Sequence, residues 1–102
     1  MPAWTYILRL RSGLLYVGST CDLNSRRILH AQGKASRTTR ADPPVELAWS
    51  EEHATFAEAH ARERQIKRWT RAKKEALIRG DMRRLHELAK RASKRRQGAA
   101  PA

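Results

Sequence analysis

Large apolar side chains are few in this chain and unevenly placed, and this limits its possible folds more than any other feature. Leu, Ile, Val and Phe number 17 among 102 residues, against a formal net charge of +12. So few large apolar residues with so much charge borders on the composition of disordered chains. Yet nine of the 17 fall between Ile7 and Leu29, so the head of the chain has the density to form a core. The charge is skewed the other way: residues 1–61 carry a net +1 and residues 62–102 a net +11. The single cysteine, Cys21, excludes an internal disulfide and a cysteine-rich zinc site. No apolar run approaches the roughly 18 residues of a membrane span. Met1-Pro2-Ala3-Trp4 has no charged n-region and no apolar signal core, so a cytoplasmic protein is expected.

The pattern predicts an α+β fold. Trp4 to Arg11 and Leu14 to Ser19 read as two strands joined by a two-residue Ser12-Gly13 turn. Asp22 is a good cap for a first helix ending near Gly33. This helix is expected to pack through Ile28 and Leu29. Gly33 to Pro44 reads as a loop, and the alternating Val45 to Ser50 as a third strand. Thr55, with Glu58 as a capping box, starts a second helix running to Trp69. Thr70 caps a third helix stopped by Gly80, and Asp81 a fourth running to about Lys94. The expected order is ββαβααα, a small, mainly antiparallel three-stranded sheet flanked by helices. A domain over residues 1–80, a basic amphipathic helix over 81–96 and a disordered tail over 97–102 are expected. In the last helix Met82, Leu85, Leu88, Ala89 and Ala92 form one apolar stripe.

Several polar residues lie where patterning does not explain them. Arg26 and His30 are four apart and share a helix face. The pair suits a phosphate, or is a solvated basic face. Glu63 falls inside the apolar stripe of Phe56, Ala59 and Ile66. A carboxylate there must neutralise, pair with an arginine such as Arg26, or hold a metal. Arg62 and Lys67 are expected to point away from it. One carboxylate suits Mg²⁺ or Mn²⁺, which keep several waters and accept phosphate oxygens. His60, three residues before Glu63, could complete a two-residue site. Tyr6 and Tyr16 lie at matching points of the hairpin, with the question of a shared face left open by the turn. Ser19 and Thr20 follow Gly18 at a strand end, where a backbone can approach a ligand.

Taken in order, these residues resemble the GIY-YIG nuclease family. Trp4-Thr5-Tyr6 stands at the first motif and Tyr16-Val17-Gly18 at the second. Asp22 to Arg27 resembles the helix with the family arginine, followed by His30, and Ala61 to Trp69 the segment with the family glutamate. Arg71 to Ile78 is similar to the small stand-alone bacterial subfamily, itself similar to the nuclease domain of the excinuclease C subunit. The resemblance covers about residues 4–79. It implies catalytic roles for Tyr6, Tyr16, Arg26, His30 and Glu63, with Glu63 as ligand of one Mg²⁺ or Mn²⁺ ion. The first motif lacks its Gly-Ile, and no Asn follows Glu63 where many members have one.

The resemblance thus implies a metal-dependent DNA endonuclease, structure-selective or acting on single strands, in DNA repair or processing. The alternative is a non-catalytic nucleic-acid-binding module of the same fold. A bacterial, cytoplasmic protein, associated with the nucleoid when on DNA, is expected. Arg27, Lys67, Arg68, Arg71, Lys73, Lys74, Arg83 and Arg84 are the expected contacts to the DNA backbone, with affinity that falls with salt. A protein partner is possible in principle, but no sequence feature points to one.

Overall fold

The structure is a computed structural model that describes residues 1–98, with side chains through Lys90. Its elements are β1 (Ala3–Leu10), β2 (Leu15–Thr20), α1 (Leu23–Ala31), α2 (Arg37–Ala41), β3 (Pro44–His53), α3 (Phe56–Lys67), α4 (Arg71–Arg79) and α5 (Met82–Gly98). The strands form an antiparallel sheet in the order β2-β1-β3. The α+β class and the three-stranded sheet therefore hold. The described residues form two compact units, one over residues 1–68 and one from residue 69 onward.

In the first unit the apolar head makes the central strand. Tyr6, Ile7, Leu8 and Leu10 of β1 are buried. Successive residues of a strand face opposite sides, and β1 uses both. Tyr6, Leu8 and Leu10 form a cluster with Tyr16, Leu23 and Leu47. On the other side the Thr5 hydroxyl donates to the Ala59 carbonyl of α3 at 2.8 Å. The Tyr6 hydroxyl meets His30 of α1. Helices α1 and α3 therefore cover opposite faces of the sheet.

The β1–β2 connection is one residue longer than the expected two. Leu10 N–H donates to the Leu14 carbonyl and Gly13 N–H to the Leu10 carbonyl, each at 2.9 Å. Arg11, Ser12 and Gly13 thus form a three-residue turn, closed by Gly13 at φ +94°. Asp42 ties it down, accepting from the Ser12 N–H at 2.9 Å and from the Ser12 hydroxyl. This turn pairs Tyr6 with Gly18 and Leu8 with Tyr16. Tyr6 and Tyr16 consequently share a face, which settles the question left open by the sequence.

Three expectations need correction. Strand β3 is longer than Val45–Ser50, and its pairing with β1 skips Ala48 and Val45. These bulges break the alternation, so Leu47, Ala48 and Trp49 are all half-buried. Within the stretch read as a loop, Ser36 caps the short helix α2, accepting from the Thr39 N–H at 3.1 Å. Ile28 is 57% exposed and Leu29 is also exposed, whereas His30 is buried. Helix α1 docks through His30 because the tyrosines offer it hydroxyl and ring-edge contacts.

In the second unit α4 and α5 pack as a helical pair. Gly80 at φ +69° sends its N–H to the Leu77 carbonyl, and Asp81 N–H reaches the Ala76 carbonyl. This reciprocal pair of bonds is a Schellman stop. Asp81 then caps α5 by accepting from Arg84 N–H at 3.0 Å. Leu85, Leu88 and Ala89 are half-buried, but Met82 is exposed, so the described part of the apolar stripe begins a turn later than expected. The Ala92 side chain lies outside the described residues. So does the expected tail from residue 99 onward, while Gln97 and Gly98 belong to α5.

An added Cβ at Gly80 would meet nothing within 4 Å, so Gly80→Ala should cost only backbone strain, about 1 kcal/mol. Urea denaturation together with faster amide exchange in the last turn of α4 would show it. An unchanged protein would mean that the left-handed cap is not needed.

Candidate active site

Tyr6 and Gly18 face each other across β1 and β2. A Cβ at Gly18 would lie 2.5 Å from Tyr6 Cζ. Only a glycine lets the ring lie over β2 and carry its hydroxyl to α1. There the hydroxyl is 2.8 Å from His30 Nε2. The imidazole stands edge-on to both tyrosines, with ring centroids 5.7 Å from Tyr6 and 5.0 Å from Tyr16. His30 Nδ1 is 2.8 Å from Thr39 Oγ1, and Thr39 Oγ1 is 2.9 Å from Ser36 Oγ. A buried polar chain thus runs Tyr6–His30–Thr39–Ser36.

Burial dominates the electrostatics. It pushes the Tyr6 phenol up to about 12, helped by Tyr16 and opposed by the positive charge of Arg26. It pushes His30 down to about 4, with the Arg26 charge adding to the effect. Both groups are neutral at pH 7. Arg26 sits one turn before His30, and its Nε is buried with no hydrogen-bond partner among the described residues. A buried donor left unmade costs roughly 1–3 kcal/mol.

Glu63 approaches from the other face of the sheet. Ser19 is the residue after Gly18, so its side chain points to α3, where its hydroxyl donates to Glu63 Oε1. Glu63 Oε2 is 2.6 Å from Lys67 Nζ. The expectation that Lys67 points away is therefore wrong. Residues four apart on a helix are about 40° apart, and the flexible stem covers the rest. Among the described residues no Arg26–Glu63 ion pair forms. Burial pushes the Glu63 carboxyl up, but hydrogen bonds from Lys67 and Ser19 outweigh it and hold it below the ordinary glutamate range. Glu63 in turn adds a small upward push to Tyr6. The two half-sites meet at Gly18–Ser19.

Tyr6, Tyr16, Arg26 and His30 are thus gathered on one face, with Glu63 joining at the end of β2. His60 stacks on Phe56 at 5.9 Å. Among the described residues no three His, Cys, Asp or Glu side chains are grouped to hold a metal. A cation resting on one carboxylate, as Mg²⁺ does, fits Glu63, provided that the half-exposed Lys67 ammonium swings aside. Thr39 and Ser36 were missed because their segment carries no hydrophobic period. A Ser three residues before a Thr, with no Gly or Pro between, was the only hint.

Of the basic residues, Arg27, Lys67 and Arg68 are exposed in the first unit. Arg27 lines a groove between α1 and β3 with Asn24, Ile28 and Val45. In the second unit Arg71 pairs with Glu75, Arg83 and Arg84 pair with Glu87, and Lys73 lies 4.2 Å over the Trp69 ring. Lys74 is half-buried on α4. Among the described residues no helix is long and apolar enough to cross a membrane.

The paired strands, the tyrosines bracketing a glycine, the Arg-His helix and the glutamate helix define a nuclease domain class. Residues 2–76 match the GIY-YIG catalytic domain, and the chain belongs to the GIY-YIG family. Within it, the chain is similar to small bacterial proteins called UPF0213. The Bacillus pumilus protein is 45% identical over 73 residues, covering 72% of this chain and 74% of that one. The Xanthomonas axonopodis pv. citri protein is 38% identical over 86 residues, 84% of each chain. The solution NMR structure of the Bacillus halodurans UPF0213 protein superposes with a TM-score of 0.50 at 35% identity, covering 76% of this chain and 83% of that one.

Two outcomes follow from the packing. Gly18→Ala should overpack the Tyr6 ring, costing about 1–3 kcal/mol in chemical denaturation. A variant as stable as wild type would contradict the close approach. His30, ordinarily near 6.5 and held near 4 in the fold, binds a proton in the unfolded chain first. Stability should therefore fall as pH drops from 7 to 5, by about 2 kcal/mol. Denaturation at both pH values checks this, and His30→Gln should flatten the difference.

Proposed function

We propose that the chain is a DNA endonuclease that hydrolyses phosphodiester bonds, selecting branched or single-stranded DNA in repair or processing, in the cytoplasm of a bacterium. The observation that carries this reading is the buried, partnerless Arg26 Nε beside the Tyr6–His30 bond. An oriented guanidinium with an unmade donor, next to a group that can take a proton, is a receptor for an anion undergoing hydrolysis. The family match to a catalytic domain supports the same reading.

Arg26 would bind the non-bridging oxygens and stabilise the charge that grows on them in the transition state. Neither Tyr6, near 12, nor His30, near 4, matches neutral pH alone as a base. Joined at 2.8 Å, they can accept the water proton together: Tyr6 takes it as its own proton passes to His30 Nε2. Tyr16, edge-on to His30, would orient the water. Glu63, steadied by Ser19, would hold one Mg²⁺ or Mn²⁺, which when bound supplies Lewis-acid stabilisation of the phosphate and the departing 3′ oxygen. The products would carry 5′-phosphate and 3′-hydroxyl ends. Arg27, Lys67, Arg68, Arg71, Lys73, Lys74, Arg83 and Arg84 would add contacts to the DNA backbone. The Glu75 and Glu87 pairs are partly exposed, and such pairs are weak enough to yield to phosphates.

The Lys67–Glu63 contact favours a second reading, a nucleic-acid-binding module in which an ammonium permanently fills the cation position. Incubation with single-stranded, duplex and branched DNA, with Mg²⁺ or Mn²⁺ against EDTA, separates the two. The expected result is metal-dependent cleavage, reduced by at least about 100-fold in Glu63→Gln. Arg26→Ala should lower kcat more than affinity. Binding without cleavage under every condition would establish the module instead.

A further inference from the structure

Helix α2 takes no direct part in the proposed chemistry, yet its Thr39 is fully buried between His30 and the α2 cap. The hydrogen positions along this chain are constrained by what each atom can do. Among the described residues the Tyr6 hydroxyl has one hydrogen-bond partner, His30 Nε2 at 2.8 Å. A buried hydroxyl hydrogen needs an acceptor, so the phenol hydrogen points to Nε2. A neutral imidazole carries one N–H. With Nε2 accepting, that hydrogen must sit on Nδ1, and the atom facing Nδ1 is Thr39 Oγ1 at 2.8 Å. The Thr39 hydroxyl hydrogen is left for Ser36, whose Oγ lies at 2.9 Å and whose carbonyl lies at 3.5 Å. Ser36 is itself fixed as the cap of α2, accepting the Thr39 N–H. Every member of the chain then has a partner, as buried polar groups require.

We infer that Thr39 is a positioning residue that holds His30 in its Nδ1–H form, keeping Nε2 open to receive the Tyr6 proton. When Tyr6 gives that proton to Nε2, a proton from the attacking water replaces it on the phenol oxygen. His30 becomes an imidazolium with both N–H groups bonded, Nδ1–H to Thr39 and Nε2–H to Tyr6. The other tautomer would place a hydrogen on Nε2 and leave the Tyr6 proton no acceptor on His30. Helix α2 therefore brings to the site the acceptor that sets its proton direction. The catalytic consequence rests on the endonuclease reading; the tautomer itself does not.

The test is long-range ¹H–¹⁵N NMR on the full chain labelled at histidine nitrogens, at pH 7. Wild type should show a protonated, pyrrole-type Nδ1 and an unprotonated, pyridine-type Nε2 at His30. Thr39→Val removes the hydroxyl at nearly the same volume. It should shift His30 toward the Nε2–H form and lower kcat at least about tenfold with KM unchanged, and Thr39→Ser should restore both. An Nε2–H tautomer in wild type overturns the inference. So does a Thr39→Val protein with wild-type tautomer and rate. If Thr39→Val does not fold, the wild-type and Thr39→Ser spectra still decide it. If wild type cleaves no DNA, the endonuclease reading fails and the spectra still report on Thr39.

Discussion

The site depends first on one buried hydrogen bond, between the Tyr6 phenol and His30 Nε2. Almost everything else in the first unit is arranged so that it can form. It needs a central strand with Tyr6 on the α1 face, a glycine opposite that leaves space for the ring, and a helix that docks through an imidazole. It also needs the far imidazole nitrogen satisfied, which Thr39 does. Both ends of the bond are buried deeply enough to stay uncharged at neutral pH. An uncharged pair is tolerated in a small core, where an unmatched ion would cost more than the core can supply.

Against this neutral pair stand two charged groups. Arg26 acts on the phenol from α1, and Glu63 reaches the end of β2 from α3. The sheet keeps them apart, so their charges do not cancel. Glu63 is matched instead by Ser19 and Lys67, both of which are labile compared with a bidentate arginine. The arrangement leaves the arginine with an unmade bond and the carboxylate with a replaceable one.

Much of the fold was legible in the sequence, because local signals and tertiary packing agree there. Asp22, Thr55, Thr70 and Gly80 all cap where their chemistry indicates. The first two strands follow from the concentration of apolar residues. The strand pairing could not be read fully, since it turns on one residue in the hairpin and on two bulges opposite β1. Site residues were legible as types in a motif order, but their partners were not. Lys67 reaches Glu63 although helix angle alone turns it away, because its long stem spans the difference. Thr39 was invisible because a buried hydroxyl in a polar segment has no periodicity to betray it. The packing of α1 is hidden from the sequence for the related reason that a histidine, rather than Ile28 or Leu29, fills the core position.

Gly18 and Ser19 are consecutive, yet one clears the space for Tyr6 and the other anchors Glu63 on the opposite face. The geometry of the site and the strand register are thereby the same variable. A slip of β2 by one residue would bring the Ser19 or Val17 side chain against the tyrosine ring and turn the bare glycine toward the carboxylate. Both halves of the site would be lost together, although every side chain would still be present. The length of the Arg11-Ser12-Gly13 turn, far from the chemistry and lined by none of it, therefore sets whether the site exists at all.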